Sequence, residues 1–419
     1  MDQIVFGSFC LDGEAGRLFR NGVELELRPQ AFRALRALVQ HRGQYLDSER
    51  IMREAWGNTV VSRHTVAVTV GEAKKALKEY ACWITYRPKL GYCLDVPGSA
   101  DLLRTAWHLL NRRTREGAES ALAYFTLASE QHPSDYRAFE GMSACYLVLG
   151  IYGMNAPLEM YEGFRKAHER AVALHRLSPE LRADRAFGLY MFERRFDAAE
   201  RELNQALREN PGLAPTYVRL AMLHICRGRF DDARKVLEYA YRADALWPVL
   251  PLADLSARFY ARDYVGAVAQ GRRALELHPY LQLGRAYFGQ ALEFSGSLTE
   301  ALEQYRAASG LCPDLPWLRA LEAACLARMG RTEDALRIFC DLERFREESY
   351  VDAYYVAALL LALRRPQEAL AELERALEED SPSITLLDVD PKLDSLRADP
   401  RFQRLRNHAM AAALSVAAC

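Results

Sequence analysis

The sequence predicts two structural classes in one chain: a small α+β domain at the N-terminus, followed by an all-α solenoid of about eight repeats. Three observations carry this. The 419 residues amount to two or more ordinary domain-lengths. The first hundred residues mix strand-like alternation with helical spacing, whereas the pattern from Asp101 onward is helical throughout. Within that second part small residues recur every 34 positions, at Ala199, Ala233, Ala267, Ala301, Ala335 and Ala369.

Composition narrows the functional classes. An apolar fraction of 50% with 26% charged residues is ordinary for a globular chain and excludes wholesale disorder. A net charge of −1 gives no whole-chain field for a polyanion. The charge is unevenly placed, however: residues 1–100 carry 14 Lys/Arg against 11 Asp/Glu, and the remainder 41 against 45. The longest uncharged run, Gly141–Leu158, is 18 residues long and is broken by three Gly, Asn155 and Pro157. A bilayer span needs about 20 predominantly apolar residues, so no membrane partner is expected. The first residues lack the basic region of a signal peptide, which together with nine Cys and no CxxC pair suits reduced thiols in a cytoplasmic protein. None of the Cys or His stands at finger-like or HExxH spacing, and no P-loop, GxSxG or GxGxxG motif occurs. Neither a metal, a cofactor nor an enzymatic activity is expected.

The elements of the first domain follow in order. Ile4–Leu11 and Arg17–Leu27 alternate as short strands, the second with an Asn21–Gly22 hairpin turn. Pro29 suits a first helical turn; Phe32, Leu35, Leu38 and Val39 follow at helical spacing, and Gly43 ends the segment. A second helix starts after Asp47–Ser48 and runs to Trp56, and a third covers Ser62 to Tyr80. Trp83–Leu94 reads as a hairpin turning around Pro88–Gly91.

The array keeps several columns in one register: Ala206, Ala240, Ala274, Ala308 and Ala376, with Leu342 standing in; Gly228, Gly296 and Gly330; Pro211, Pro279 and Pro313; and Phe196, Phe230, Tyr264 and Leu298. Small residues sit where paired helices approach closely, and proline ends one repeat before the next. A 34-residue period is that of the tetratricopeptide (TPR) helix–turn–helix unit, which the chain resembles over residues 102–380. One repeat carries 12 extra residues around Gly150–Met160; they either fold back over the array's own apolar edge or present a docking surface. Tyr217, Phe259, Phe294, Trp317 and Tyr354 lie on first helices, as core or as lining of a concave groove for extended peptides. Asp388–Met410 resembles the DP…LR-DPRF element that follows such arrays in bacterial regulators, and is expected to cap the solenoid. His168 and His175, with Glu169 between them, read as partly exposed helix residues rather than metal ligands.

Five stretches of the first domain resemble the OmpR-type winged helix-turn-helix. These are Leu27–Phe32 (LRPQAF), Ile51 to Gly57, Ser62–Val70 (SRHTVAVTV), Lys74–Leu77 (KKAL) and Arg87–Tyr92 (RPKLGY). Winged helix followed by TPR repeats resembles bacterial one-component activators of virulence and stress genes. The resemblance implies double-stranded promoter DNA as the partner, a third helix in the major groove, and a loop Gly57, Asn58, Thr59, Val60 and Val61 that touches RNA polymerase.

The residues agree with that expectation. In the third helix Val66, Val70, Ala73 and Leu77 share one face and turn inward. This leaves Arg63, His64, Ala67, Val68, Lys74, Lys75 and Lys78 toward the other side, and the wing adds Arg87 and Lys89. The resemblance adds Thr65 and Thr69 to the DNA contacts. From 63 to 90 six Lys/Arg stand against two acids, which concentrates the weak basic balance of the domain. Gly71, Glu72 and Leu90 stand where the family commonly carries basic residues. The expected organisation is residues 1–98 for DNA, 101–383 for protein interaction, self-association or effector sensing, and 384–419 as capping segment and tail. The alternative is a TPR interaction scaffold whose winged helix binds protein rather than DNA.

Overall fold

The computed structural model of the chain describes residues 3–7, 9–20, 23–95, 99–245, 247, 249–278 and 282–415. It divides into two compact units, Met1–Met142 and Ser143–Cys419. In the first unit β1 (Gln3–Phe6), β2 (Phe9–Asp12), β3 (Arg17–Arg20) and β4 (Val23–Leu25) form an antiparallel sheet in chain order. The two expected strand segments become four. Gly7 turns the chain at φ +59° between β1 and β2, where its missing Cβ leaves room for the Trp83 ring. The Asp12 carboxylate accepts from the amides of Glu14 and Ala15, at 3.1 and 2.9 Å, and closes the next turn. The Asn21–Gly22 turn and Pro279 lie outside the described residues.

The sheet buries Phe6, Phe9, Leu11 and Leu18, and its Phe9 ring meets Tyr80 and Trp83 edge-on at 5.6 and 6.0 Å. Helix α1 (Pro29–Gln40) begins on its proline and buries Phe32, Leu35, Leu38 and Val39. Helix α2 (Ser48–Trp56) is capped by Asp47, whose side chain accepts from Arg50 N at 2.8 Å. Helix α3 (Arg63–Ala76) is capped by Ser62, which accepts from Thr65 N at 3.1 Å. It ends before the expected Tyr80 because Lys78 turns left-handed (φ 52°) and a 3-10 stretch, Lys78–Trp83, carries Tyr80 and Trp83 into the aromatic core. The hairpin β5 (Ile84–Arg87) and β6 (Gly91–Leu94) pairs with Arg87 opposite Gly91.

Sixteen described helices then pair into eight helical hairpins: α4 (Ser99–Leu110) with α5 (Arg115–Gln131), α6 (Tyr136–Ile151) with α7 (Pro157–Leu174), α8 (Pro179–Met191) with α9 (Phe196–Glu209), α10 (Ala214–Cys226) with α11 (Phe230–Ala243), α12 (Leu250–Tyr260) with α13 (Tyr264–Leu277), α14 (Gln282–Phe294) with α15 (Leu298–Leu311), α16 (Pro316–Arg328) with α17 (Thr332–Arg346), and α18 (Ala353–Ala362) with α19 (Pro366–Glu378). The first hairpin belongs to the same compact unit as the winged domain, and Cys82 Sγ lies 2.9 Å from the Tyr124 hydroxyl. The Ala199 and Ala206 columns are buried throughout, as close helix approach demands. The glycine column marks the turn between the helices of a hairpin, at φ +69°, +92° and +79° for Gly228, Gly296 and Gly330. Arg194, Arg262 and Arg364 occupy the same register and take the same left-handed turn at φ 57°, 68° and 59°.

The second unit has an interior that the repeat pattern alone does not supply. The 3-10 turns Pro382–Leu386 and Pro391–Leu396 are buried against the first helices of several hairpins. Arg194 Nη2 donates to Asp380 at 2.9 Å, Cys226 faces Thr385, and Arg262 Nη1 donates to the Val389 carbonyl at 2.5 Å. Lys392, 1% exposed, bonds Asp390 at 2.9 Å and Gln290 at 2.6 Å, while Tyr354 donates to Asp390 at 2.8 Å. The segment expected to cap the array therefore does more than cap. Only α20 (Pro400–Ser415), packed on α19, occupies a terminal position. The turn after α6 also points inward: Met154 is fully buried, and Trp317 Nε1 donates to the Tyr152 carbonyl at 2.9 Å. The 12 extra residues thus fold back onto the array. His168 is buried rather than partly exposed, and burial lowers its pKa. No described helix is long and apolar enough to cross a membrane.

Candidate nucleic-acid interface

Helix α3 separates its two sides as the spacing requires. Val66, Val70 and Ala73, with Leu77 just beyond, are buried against the domain core, and Arg63, His64, Ala67, Val68 and Lys75 are exposed. Thr65 and Lys74 are half-buried at the margins. Thr69 is a correction. It is 7% exposed because it follows Val66 by three residues and shares the inward face, so it is withdrawn from the interface. Lys78 is exposed on the left-handed turn after the helix rather than on the helix itself.

The wing is fixed to the body of the domain by its own backbone. Leu46 N donates to the Tyr92 carbonyl at 2.7 Å, and Tyr92 N returns a bond to Leu46 O at 2.8 Å. This close approach leaves no room for a Cβ at Gly91, whose φ is +98°. The Arg87 guanidinium lies over the Tyr45 ring at 5.3 Å, and the Tyr45 and Thr85 hydroxyls are 3.4 Å apart. Tyr86 and Tyr92 pack at 4.9 Å, and burial raises the pKa of the Tyr92 hydroxyl, keeping it neutral. Lys89 is exposed at the hairpin tip with φ 70°.

Two features alter the charge and texture of this surface. Glu72 accepts from Arg28 at 3.2 Å, so the carboxylate that departs from the family pattern carries its own counter-charge. Arg28 lies 44 positions away, at the end of the strand region, and no local sequence signal marks the pair. The second feature is apolar exposure: Val60 is 84% exposed, and Val68, Tyr86 and Leu90 are also exposed. In the α2–α3 loop Gly57, Asn58, Thr59 and Val60 face solvent, while Val61 is held by its amide, which lies 3.3 Å from Met52 Sδ.

A helix with one apolar face and one exposed basic face, flanked by a hairpin carrying two more cations, is the geometry of a winged-helix reader. Residues 22–94 match the family model described as the C-terminal domain of transcriptional regulatory proteins, and residues 191–245 match a tetratricopeptide repeat model. The chain thus joins an OmpR-type winged-helix domain to a TPR solenoid. Among individual proteins it is similar to the transcriptional activator CadC of Escherichia coli (strain K12), with 30% identity over 95 residues, or 22% of this chain and 19% of that protein. The chain therefore matches about a fifth of the length of that curated relative. Solved structures are also similar to the chain. One is the human IFIT1 dimer with PPP-AAAA, at TM-score 0.52 and 15% identity over 94% of this chain and 92% of that one. Another is a thermophilic TPR protein of Thermus thermophilus, at TM-score 0.40 and 20% identity over 46% of this chain and 99% of that one.

Proposed function

We propose that this protein is a promoter-binding transcriptional regulator. The winged helix engages DNA, and the TPR array carries protein interaction, self-association or effector sensing. The observation that carries the reading is the two-sidedness of α3. Its exposed Arg63, His64, Ala67 and Val68 lead the helix, and the wing cations Arg87 and Lys89 belong to the same small domain. In that arrangement the N-terminal side chains of the helix meet base edges and Lys74, Lys75 and Lys78 meet phosphates. Residues Gly57–Val61 form the surface offered to RNA polymerase. The mechanism is binding, not catalysis. The interior of the array is occupied by its own residues 380–396, so partners of the array meet other faces than an open peptide groove.

A second reading has one observation in its favour: Val60, Val68, Tyr86 and Leu90 are apolar and exposed, which suits a protein partner. Titrating the full chain against fragments of genomic DNA separates the two. DNA reading requires affinity that falls steeply with salt. Absence of any salt-dependent shift would leave the scaffold reading.

A further inference from the structure

Four guanidinium groups line one open cavity in the second unit, beside Asp388 and Val389 of the buried segment. The cavity holds about 560 Å³ and lies between the α10–α11 turn, the end of α12, the segment before Asp390, and α20. Arg227, Arg262, Arg397 and Arg406 line it, with Asp388 as the only carboxylate in the described lining. The remainder of the chain beyond residue 100 is net acidic, so this collection of cations is local.

The hydrogen bonds of these arginines distinguish two roles. Arg262 donates to the carbonyls of Tyr260 and Val389, and Arg397 to those of Leu387 and Asp390. Carbonyls satisfy the donors without cancelling the charge. The carboxylate available to both is Asp394, which accepts from Arg262 at 2.9 Å and Arg397 at 2.7 Å. These two arginines share one carboxylate between them and retain a net positive charge. Arg406 and Arg227 are different. Arg406 meets Asp388 through Nε, and Arg227 meets Asp197 and, at 3.9 Å, Glu200 through Nη1. Among the described residues the two Nη groups of Arg406 and Nη2 of Arg227 have no protein acceptor, and both side chains are between a third and a half exposed. Arg262 also holds a left-handed turn that glycine fills at the neighbouring hairpins, a conformation that the Cβ of a non-glycine residue disfavours. The turn therefore favours glycine on backbone grounds and carries arginine instead.

We propose that this cavity binds a small molecule bearing a phosphate group. The phosphate oxygens accept from the free donors of Arg227 and Arg406, in the field of Arg262 and Arg397, and Phe230 supplies an apolar wall for the rest of the molecule. The volume falls within the range of about 300–1,000 Å³ usual for small-molecule sites. The proposal deepens the effector-sensing reading and rests on it for its regulatory meaning. The site joins α10 and α12 to the buried segment and α20, so an occupant ties the repeats to the end of the chain.

The test is calorimetric titration of the full chain with inorganic pyrophosphate and, separately, inorganic phosphate, with ionic strength held constant by NaCl. Saturable binding at one site is expected, weakened at least tenfold by Arg406→Gln, on the exposed side of α20. Arg262→Gly, which the turn accepts without strain, is expected to weaken it as well. Arg234→Gln, in an exposed ion pair with Asp231, should bind as the parent does. A preference for pyrophosphate over phosphate indicates a phosphorylated metabolite, and equal binding indicates free phosphate as the occupant. Unweakened binding by Arg406→Gln overturns the proposal, as does loss of binding in Lys75→Ala alone, which would place the anion on the winged helix. Failure of both probes to bind at millimolar concentration also overturns it. DNA affinity of the same preparation is read separately. Its loss with pyrophosphate binding intact removes the regulator reading and leaves the site.

Discussion

Replacing Lys392 by Met should destabilise the whole second unit. Lys392 is 1% exposed and Asp390 fully buried; their groups lie 2.9 Å apart, with Gln290 on the ammonium and Tyr354 on the carboxylate. The ammonium also faces the rings of Phe259 and Tyr355, at 5.5 and 6.0 Å. Methionine fills the stem's volume but leaves the Asp390 carboxylate buried with the Tyr354 hydroxyl and the Lys392 amide as its donors. Removing one member of a buried pair costs about 3–5 kcal/mol. For a unit of this size each kcal/mol lowers the melting temperature by roughly 2–4 °C, so a fall of roughly 10 °C is expected. The contacts reach α12, α14 and α18, so the loss should appear as one shifted transition rather than fraying of the last repeat. Scanning calorimetry of the full chain measures it. The double variant Asp390→Asn/Lys392→Met removes both charges, and the Asn side chain can still cap the 3-10 turn, so it should recover most of the loss. A single variant within about 1 kcal/mol of the parent, or a double variant less stable than the single, would refute the reasoning.

Asp352 is buried with the hydroxyls of Ser381 and Ser383, each at 2.9 Å, and burial raises its pKa to about 6. A carboxyl with a raised folded-state pKa contributes stability that is present at low pH and lost as pH rises through about 6. Burial lowers the pKa of His168 and His224, which therefore oppose this trend below their ordinary value. The readout is thus the difference between parent and Asp352→Asn. The variant's stability relative to the parent should rise between pH 5 and pH 7.5, and parallel pH profiles would remove Asp352 as the cause. Ala267→Leu should cost about 1–3 kcal/mol by chemical denaturation, because Ala267 is fully buried in the repeat register; an unaltered midpoint would argue against close helix approach there. Lys75→Ala should weaken binding to all DNA sequences about equally and reduce the salt slope by about 1, and an unchanged slope would take Lys75 out of the interface.

The period of 34, the strand–helix–hairpin order of the head and the wing at Gly91 are legible because each is written locally: small residues, turn formers and alternation at fixed spacing. The faces of α3 are legible from Val66, Val70 and Ala73, and Thr69 is misplaced only when family likeness overrides its i+3 relation to Val66. The buried course of residues 380–396 is hidden. Its four Asp, three Ser and two Pro read as solvent-facing, and the groups that satisfy it are remote: Gln290 is 102 positions from Lys392, and Arg194 is 186 from Asp380. The same distance in sequence conceals the Arg28–Glu72 pair and the four-arginine cavity. The left-handed arginines stand in the glycine column, but a spacing pattern does not reveal that Arg194, Arg262 and Arg364 share the glycine conformation.

Whether α3 and the wing hold promoter DNA is tested most directly by fluorescence anisotropy of the full chain on labelled genomic promoter fragments, repeated across salt concentrations. With Arg63, Lys74, Lys75, Lys78, Arg87 and Lys89 as cations at the interface, log affinity should fall with log salt at a slope of roughly −5. Alanine at Arg63, Lys75, Arg87 and Lys89 together should abolish specific binding while leaving the melting transitions in place. A flat salt dependence, or a quadruple variant that binds as the parent does, would contradict the account.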